Sequence, residues 1–392
     1  MKKNLLASYC FFIVFIISFN LSQAKAQGWV RFLLPDTLYQ PITEIIPHPD
    51  GGVLVAYTTY YDPFIPLPVH ENFAKLVHFN TNGDLVWQKT IMPRSIARDL
   101  AIEANGLPAV LVYDNTTFQL RLFRFDWQGN ELGANFIGKS SNPIIEMAAF
   151  PGGGFVSNFT YRDDPILPPT KAALHRFDSN DSLLWRSDID EQTTSSWLLD
   201  SRGIAVNSQG QTLVACWTGW ITHDKHQIVM VDAQGDSIWQ RQISDPITAG
   251  VLADDNFFYV DHNPPLIDAT VIRKISPNGD IIWEKPGDSY TVHAIRGKYF
   301  ARPDGGFVLC GIGPGVSILI QVFDSQGNVL HRINRKVPGY GDMQAEVSAF
   351  TQTPNGDFYV CGLLSDGLNS ASGSGFILKM DSLGNVYPQR IW

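Results

Sequence analysis

Short apolar runs alternate along the chain with clusters of Asp, Asn, Gly and Pro. Runs such as Gly52-Val53-Leu54-Val55-Ala56, Thr212-Leu213-Val214-Ala215-Cys216, Phe307-Val308-Leu309-Cys310 and Phe358-Tyr359-Val360-Cys361 are dense in β-branched and aromatic residues. Their length and their turn-forming flanks mark them as strands. Apolar residues spaced for a helix face are scarce, so the pattern predicts an all-β chain and disfavours an α/β solenoid.

The runs are organised by a repeated phrase: a β-run, Asp or Asn, two variable residues, Gly, Asp or Asn, and then often Trp. The copies include Phe79-Asn80-Thr81-Asn82-Gly83-Asp84-Leu85-Val86-Trp87 and Val231-Asp232-Ala233-Gln234-Gly235-Asp236-Ser237-Ile238-Trp239. The turn position falls at residues 83, 129, 181, 235, 279, 327 and 384, at intervals of 46, 52, 54, 44, 48 and 57. A second turn precedes each one, as in Pro49-Asp50-Gly51-Gly52, Asn105-Gly106 and Pro303-Asp304-Gly305-Gly306. Asn-Gly and Asp-Gly supply the positive φ that tight hairpins require. Each unit therefore reads as four strands, a to d, and a repeat of this size points to propeller blades.

A lone blade cannot bury both faces of its sheet, whereas blades arranged around an axis bury each other. The expected architecture is a seven-bladed β-propeller of four-stranded antiparallel blades over residues 27–392, with the ring closed by an N-terminal strand around Gly28-Trp29-Val30-Arg31-Phe32. Closure removes the two exposed sheet edges that an open ring would leave. Trp87, Trp185, Trp239 and Trp283 sit at one position of strand d and are expected to pack between blades.

The first residues do not fit the repeat. Lys2 and Lys3 precede an apolar stretch from Leu5 to Leu21, then Ala24-Lys25-Ala26. This is the pattern of a secretory signal peptide, residues 1–26, cleaved after Ala26; an uncleaved anchor helix is the alternative. The expected location is extracellular or periplasmic. Cleavage removes three lysines and no acid, taking the net charge from −9 to −12. So acidic a protein repels phosphate backbones, so no nucleic acid partner is expected. No later apolar run is long enough for a membrane span, and a monomer is expected. The mature chain keeps Cys216, Cys310 and Cys361 at equivalent strand ends, where the first unit has Ala56. An odd number is no disulfide framework; buried free thiols are expected, with a Cys310–Cys361 bridge as the alternative.

The Asp-x-x-Gly-Asp-x-x-Trp phrase, complete from Asp232 to Trp239, resembles the Trp-docking repeat of quinoprotein-like propellers. The stretch from Asp304 to Gly311 resembles repeats of secreted Bacteroidota propellers. The resemblance spans nearly the whole mature chain and implies a secreted propeller. The adjacent cysteine pair of the quinone dehydrogenases has no counterpart here, and no cofactor is expected.

Candidate chemistry lies in the b–c and d–a loops, which share one face of a propeller. Tyr60, Tyr61 and Asp62 open one Pro-rich b–c loop, and Tyr161, Arg162 and Asp163 open another like it; Asp261 and His262 begin a third. Prolines reduce the entropy lost when such loops order, and Tyr offers amphipathic contact area. A further loop carries Trp217, Trp220, His223, Asp224 and His226. Its indoles suit sugar stacking and its imidazoles a metal, but an exposed polar loop explains the composition equally, and no metal is expected. Arg94, Arg98, Asp99, Asp245, Asp288, Asp342 and Glu346 are candidates for the channel mouth. The Asp-x-x-Gly-Asp turns are too short for an EF-hand loop, so their Asp is expected to shape the turn. No nucleophile elbow, P-loop or dinucleotide fingerprint occurs. The expected function is non-catalytic binding of a protein or glycan through the loop face. The alternative is a hydrolase or degenerate quinoprotein-like enzyme with its site at the channel mouth.

Overall fold

The computed structural model describes residues 30–32, 42–59, 72–140, 145–161, 171–189, 199–218, 225–244, 246–262, 270–287, 298–313, 317–337, 344–365 and 374–386. Every regular element among them is a β-strand. Strand β1 (Val30–Phe32) precedes the first blade, formed by β2 (Ile42–Pro47), β3 (Val53–Thr59), β4 (Phe73–Phe79) and β5 (Leu85–Pro93). The second blade is β6 (Ser95–Ile102), β7 (Pro108–Asp114), β8 (Gln119–Phe125) and β9 (Glu131–Lys139). The third is β10 (Met147–Ala149), β11 (Phe155–Tyr161), β12 (Lys171–Phe177) and β13 (Leu183–Asp188). The fourth is β14 (Leu199–Val206), β15 (Thr212–Thr218), β16 (Lys225–Val231) and β17 (Ser237–Ile243). The fifth is β18 (Pro246–Val251), β19 (Phe257–His262), β20 (Thr270–Ile275) and β21 (Ile281–Pro286). The sixth is β22 (Lys298–Ala301), β23 (Phe307–Gly313), β24 (Ser317–Phe323) and β25 (Val329–Arg335). The seventh is β26 (Gln344–Gln352), β27 (Phe358–Ser365) and β28 (Ser374–Met380), with β1 as its fourth strand.

The molecule is a seven-bladed β-propeller, each blade an antiparallel sheet in the order a-b-c-d. β1 pairs with β28 in the register Val30↔Leu378, Arg31↔Ile377 and Phe32↔Phe376, so the chain's first strand takes the d position of its last blade. Strand b explains the dense apolar runs. Every residue of β3 and of β7 is buried, because both faces of a blade meet a neighbour. Strand d is the outer edge, and β17 and β21 alternate between exposed and half-buried residues.

Seven apolar clusters lie between successive blades. One joins Ile46, Leu54 and Ala56 of the first blade to Ala97, Val110 and Phe123 of the second. Another joins Ile42, Val55 and Tyr57 to Ala349, Tyr359 and Ile377 of the seventh, so first and last blades pack together as other neighbours do. Cys216, Cys310 and Cys361 are free thiols within these layers, and the Cys310–Cys361 alternative does not form.

The c–d turns show what their Asp residues do. Asp232 Oδ1 accepts the N–H groups of Gln234 and Asp236 at 2.9 Å each, Asp324 serves Gln326 and Asn328, and Asn80 serves Asn82 and Asp84. The carboxylate is satisfied by its own turn, an Asx turn.

Candidate functional site

Of the residues expected on the loop face, Tyr60, Tyr61, Asp62, Arg162, Asp163, Trp220 and His223 lie outside the described residues. The backbone of the other three is placed by strand register. Tyr161 ends β11 opposite Lys171, His262 ends β19 opposite Thr270, and Trp217 lies one residue before the end of β15, opposite Asp200 and His226. All three therefore stand at the loop end of a strand b. Asp261, expected in a loop, is instead a buried strand residue. Arg273 Nη1 lies 2.8 Å from both of its oxygens, while Arg273 Nε reaches Glu284 Oε2 at 2.6 Å. Burial still holds the Asp261 carboxyl above its ordinary value against the pull of Arg273.

The channel-mouth candidates divide similarly. Asp245, Asp288 and Asp342 lie outside the described residues. Asp99 is buried and engaged in structure: Oδ1 accepts the Leu100 N–H at 2.8 Å and Oδ2 the Met147 N–H of the third blade at 2.7 Å. Arg98 and Glu346 are half-buried on innermost strands. In five innermost strands the ladder register shifts at an equivalent point, past Thr43, Arg98, Arg202, Ile247 and Ser348. These bulges were invisible in the sequence, because one extra residue in an apolar run leaves no compositional trace.

The strand-d tryptophans dock on the next blade. Trp185 donates from Nε1 to Ala233 O at 2.9 Å, Trp239 to Pro277 O at 2.8 Å and Trp283 to Ser325 O at 3.2 Å. Each indole lies flat on the turn glycine beyond. A Cβ at Gly235 would come within 2.7 Å of Trp185 Cδ2, and that glycine has φ of +88°, so no other residue fits there without displacement. The indoles are half-buried and pack against the apolar clusters between blades.

A second repeated position escaped the sequence reading altogether. The penultimate residue of strand c is His78, Arg124, Arg176, Lys274 or Lys379 in five blades. Each side chain runs under the a–b turn of its own blade. Lys274 Nζ meets Asp254 Oδ2 at 2.5 Å, Lys379 Nζ meets Asp357 Oδ2 at 3.1 Å, and Arg124 pairs with Glu103 at 2.8 Å. Arg176 donates to Gly153 O at 2.5 Å, with its guanidinium 3.9 Å from the Phe150 ring centre. A cation this deep persists only when paired.

The first blade departs from that scheme in a way that creates chemistry. At the strand-c position it has His78, and its a–b turn contributes His48 and Asp50. His48 Nδ1 lies 2.8 Å from Asp50 Oδ1, and His78 Nε2 lies 3.0 Å from Asp50 Oδ2. The imidazoles stack at 3.7 Å between ring centres, 24° from parallel. His48 Nε2 is 3.0 Å from the Trp127 carbonyl of the second blade, and Asp50 Oδ1 accepts the Gly52 N–H at 2.7 Å. Burial pushes the Asp50 carboxyl up, but the Gly52 N–H and both imidazoles outweigh it and hold the group below its ordinary value. Burial and the neighbouring His48 push the His78 imidazole below its ordinary value, against the pull of Asp50. Each of the three residues offers one ligand atom, and these two imidazole nitrogens and one carboxylate oxygen lie within 4.8 Å of one another, a donor set for a metal. The signal in the sequence was His48-x-Asp50, with His78 at a position that holds Arg or Lys elsewhere.

No family model matches the chain, and neither does any curated protein. Solved structures do. A catalytically inactive variant of virginiamycin B lyase from Staphylococcus aureus, solved with quinupristin, is similar at TM-score 0.55 and 13% identity, over 90% of this chain and 100% of that one. The polysaccharide lyase Uly1 is similar at TM-score 0.53 and 9% identity, over 87% and 90%. Drosophila Plexin A, in complex with Semaphorin 1b, is similar at TM-score 0.51 and 8% identity, over 89% and 88%. At such identities the likeness is one of fold, and these propellers include enzymes as well as a component of a protein complex.

Proposed function

We propose that the protein is a secreted, monomeric propeller that binds a protein or glycan through its b–c/d–a loop face without transforming it. One observation carries the reading. The long connections of the chain, such as residues 60–72, 162–170, 263–269 and 366–373 between strands b and c, all belong to one end of the blades. The other end is tied off by short Asx and glycine turns, whose hydrogen bonds recur from blade to blade. Variable surface is thus concentrated on one face, the arrangement of a scaffold that presents loops. In this reading Tyr60, Tyr61, Tyr161, Trp217, Trp220 and His223 are the residues whose aromatic rings would make contact with the ligand. Asp62, Arg162, Asp163 and His262 would supply polar contacts. The basic n-region, apolar core and Ala-x-Ala of residues 1–26 support export, after which the mature chain begins at Gln27.

The test is binding to a glycan array and to proteins of the secreted fraction, comparing wild type with the Tyr61→Ala/Tyr161→Ala/Trp220→Ala protein. The expected result is a partner retained by wild type and lost by the variant with unchanged melting. Equal retention by both would refute the loop face. Turnover of a captured glycan by wild type would convert the reading to the enzyme alternative. N-terminal sequencing of exported protein should start at Gln27, and retention of residues 1–26 would refute cleavage.

A further inference from the structure

We propose that His48, Asp50 and His78 form a binding site for a divalent transition-metal ion of the zinc class, at the turn face between the first and second blades. The site lies at the opposite end of the blades from the proposed ligand-binding loops, and stands independently of them.

The first argument concerns where protons can be. A carbonyl oxygen only accepts, so the contact with Trp127 O places a proton on His48 Nε2. In the neutral ring Nδ1 is then an acceptor, and it does accept the Asp50 N–H at 3.3 Å. The same Nδ1 faces a carboxylate oxygen at 2.8 Å. Two lone pairs directed at each other repel unless a positive charge, a second ring proton or a metal ion, lies between them. The contact that fixes His48 is also the outer contact of metal-binding histidines, whose second nitrogen donates to a backbone carbonyl or carboxylate.

The second argument is His78. The residue is 3% exposed, and neither ring nitrogen makes a hydrogen bond among the described residues. Nε2 lies 3.0 Å from Asp50 Oδ2, the one charged group beside the ring among the described residues. A buried imidazole with a carboxylate 3.0 Å away is placed to share that carboxylate with an ion. In the second, fifth and seventh blades Arg124, Lys274 and Lys379 fill this position and make a direct ion pair, which a metal would replace here.

The third argument is geometric. Tetrahedral coordination at about 2.0–2.1 Å places donor atoms about 3.3 Å apart. The observed 2.8 and 3.0 Å require the carboxylate to withdraw by a few tenths of an ångström, and the stacked imidazoles must tilt so that their in-plane lone pairs converge on the ion. Two imidazoles and one carboxylate suit zinc, nickel or copper over magnesium or calcium, which prefer oxygen alone. The Asp50 side chain is 43% exposed, so a fourth position opens to water. A bound ion would tie strand c of the first blade to its a–b turn and, through the Trp127 carbonyl, to the second blade.

The experiment uses the protein purified without a histidine tag. It is stripped with chelator, loaded with Zn²⁺ and desalted, and the retained metal is measured by mass spectrometry; Co²⁺ is loaded in parallel for its visible spectrum. About one equivalent should be retained, with the intense d–d bands of a four-coordinate cobalt site. His48→Phe, which keeps the stacked ring, and Asp50→Asn should each weaken retention by about tenfold or more. A His223→Ala/His226→Ala protein should bind as wild type does. Failure of wild type to retain zinc would overturn the proposal and leave the cluster a hydrogen-bonded clasp; this outcome needs no variant to fold. Retention abolished by His223→Ala/His226→Ala and untouched by His48→Phe would overturn it equally.

Discussion

Asp181 is the sharpest place to test how the blades hold one another. Every other blade has glycine at that turn position, and Asp181 adopts the same left-handed conformation, φ +64°. Its carboxylate receives Arg124 Nη1 at 2.6 Å and Nη2 at 2.5 Å, with Asn135 Nδ2 beside it. Across the interface the Trp position of strand d is empty. Gly133 pairs with Arg124 just as Trp87 pairs with His78 and Trp185 with Arg176, and a Cβ at Gly133 would meet nothing within 4 Å. An indole on glycine has been exchanged for a guanidinium on carboxylate. Asp181, ahead of Glu103, holds the Arg124 guanidinium well above its ordinary range. Removing one partner of a buried pair costs about 3–5 kcal/mol. Arg124 retains Glu103, which keeps the loss near the lower figure, and relief of a left-handed non-glycine residue returns about 1 kcal/mol. Asp181→Gly should therefore destabilise by about 2 kcal/mol in urea melts. Adding Gly133→Trp to Asp181→Gly restores the repeat and should recover about 1–2 kcal/mol, whereas Gly133→Trp alone places an indole against Asp181 and should not stabilise. Additive effects in this cycle, or a neutral Asp181→Gly, would refute the exchange.

Trp239→Ala removes a half-buried indole, its hydrogen bond to Pro277 O and its contact with Arg241; a loss of about 3 kcal/mol is expected in the same melts, and a loss below about 1 kcal/mol would contradict docking. His175 stacks on Phe159 at 4.3 Å, and burial lowers its pKa from 6.5 to about 4. Folding therefore favours the neutral ring: the associated stability is complete above pH 6.5 and declines as pH falls toward 4, by about 2 kcal/mol at about pH 5. His175→Phe should lose that part of the pH dependence, and identical slopes for both proteins would refute it. Leu184 is 58% exposed on the outer strand, so Leu184→Lys should leave the melting midpoint unchanged within about 0.5 kcal/mol. The three buried thiols, with Cys310 pushed far up by burial, should react with a thiol reagent only at the rate of unfolding, and fast labelling of the native protein would show otherwise.

The blade repeat was legible because each of its features is local. An Asx turn needs its Asp or Asn within four residues of the N–H it serves, and strand b must be apolar throughout because both its faces are covered. What the sequence did not disclose depends on partners far apart in the chain. Asp50 and His78 are joined only by the pairing of β3 with β4, and Lys274 reaches Asp254 only because β19 and β20 lie side by side. The residues that carry those contacts vary from blade to blade, with glutamate at one end in the second blade and a ring face in the third. A pattern search sees a different residue in each copy, while the space beneath the turn stays the same. The d-strand apolar pairs, Leu183 with Leu184 and Ile281 with Ile282, lie exposed on the outer rim.

The repeat supplies its own control for deciding which departures matter. In the fourth and sixth blades, where the strand-c position is Met230 and Val322, that residue packs in an inter-blade apolar cluster instead. A blade that loses the Trp needs a different inter-blade contact, and Gly133 and Asp181 change together for that reason. The first blade fits neither case. It keeps its docking Trp and has a basic residue beneath its turn, but the basic residue is an imidazole, and a second imidazole and a carboxylate are gathered around it. Stability alone does not require this, since lysine in the fifth and seventh blades makes the same turn with one ion pair. A departure that is both costly and unnecessary for the fold is where function should be sought, and on this protein's turn face that criterion selects His48, Asp50 and His78.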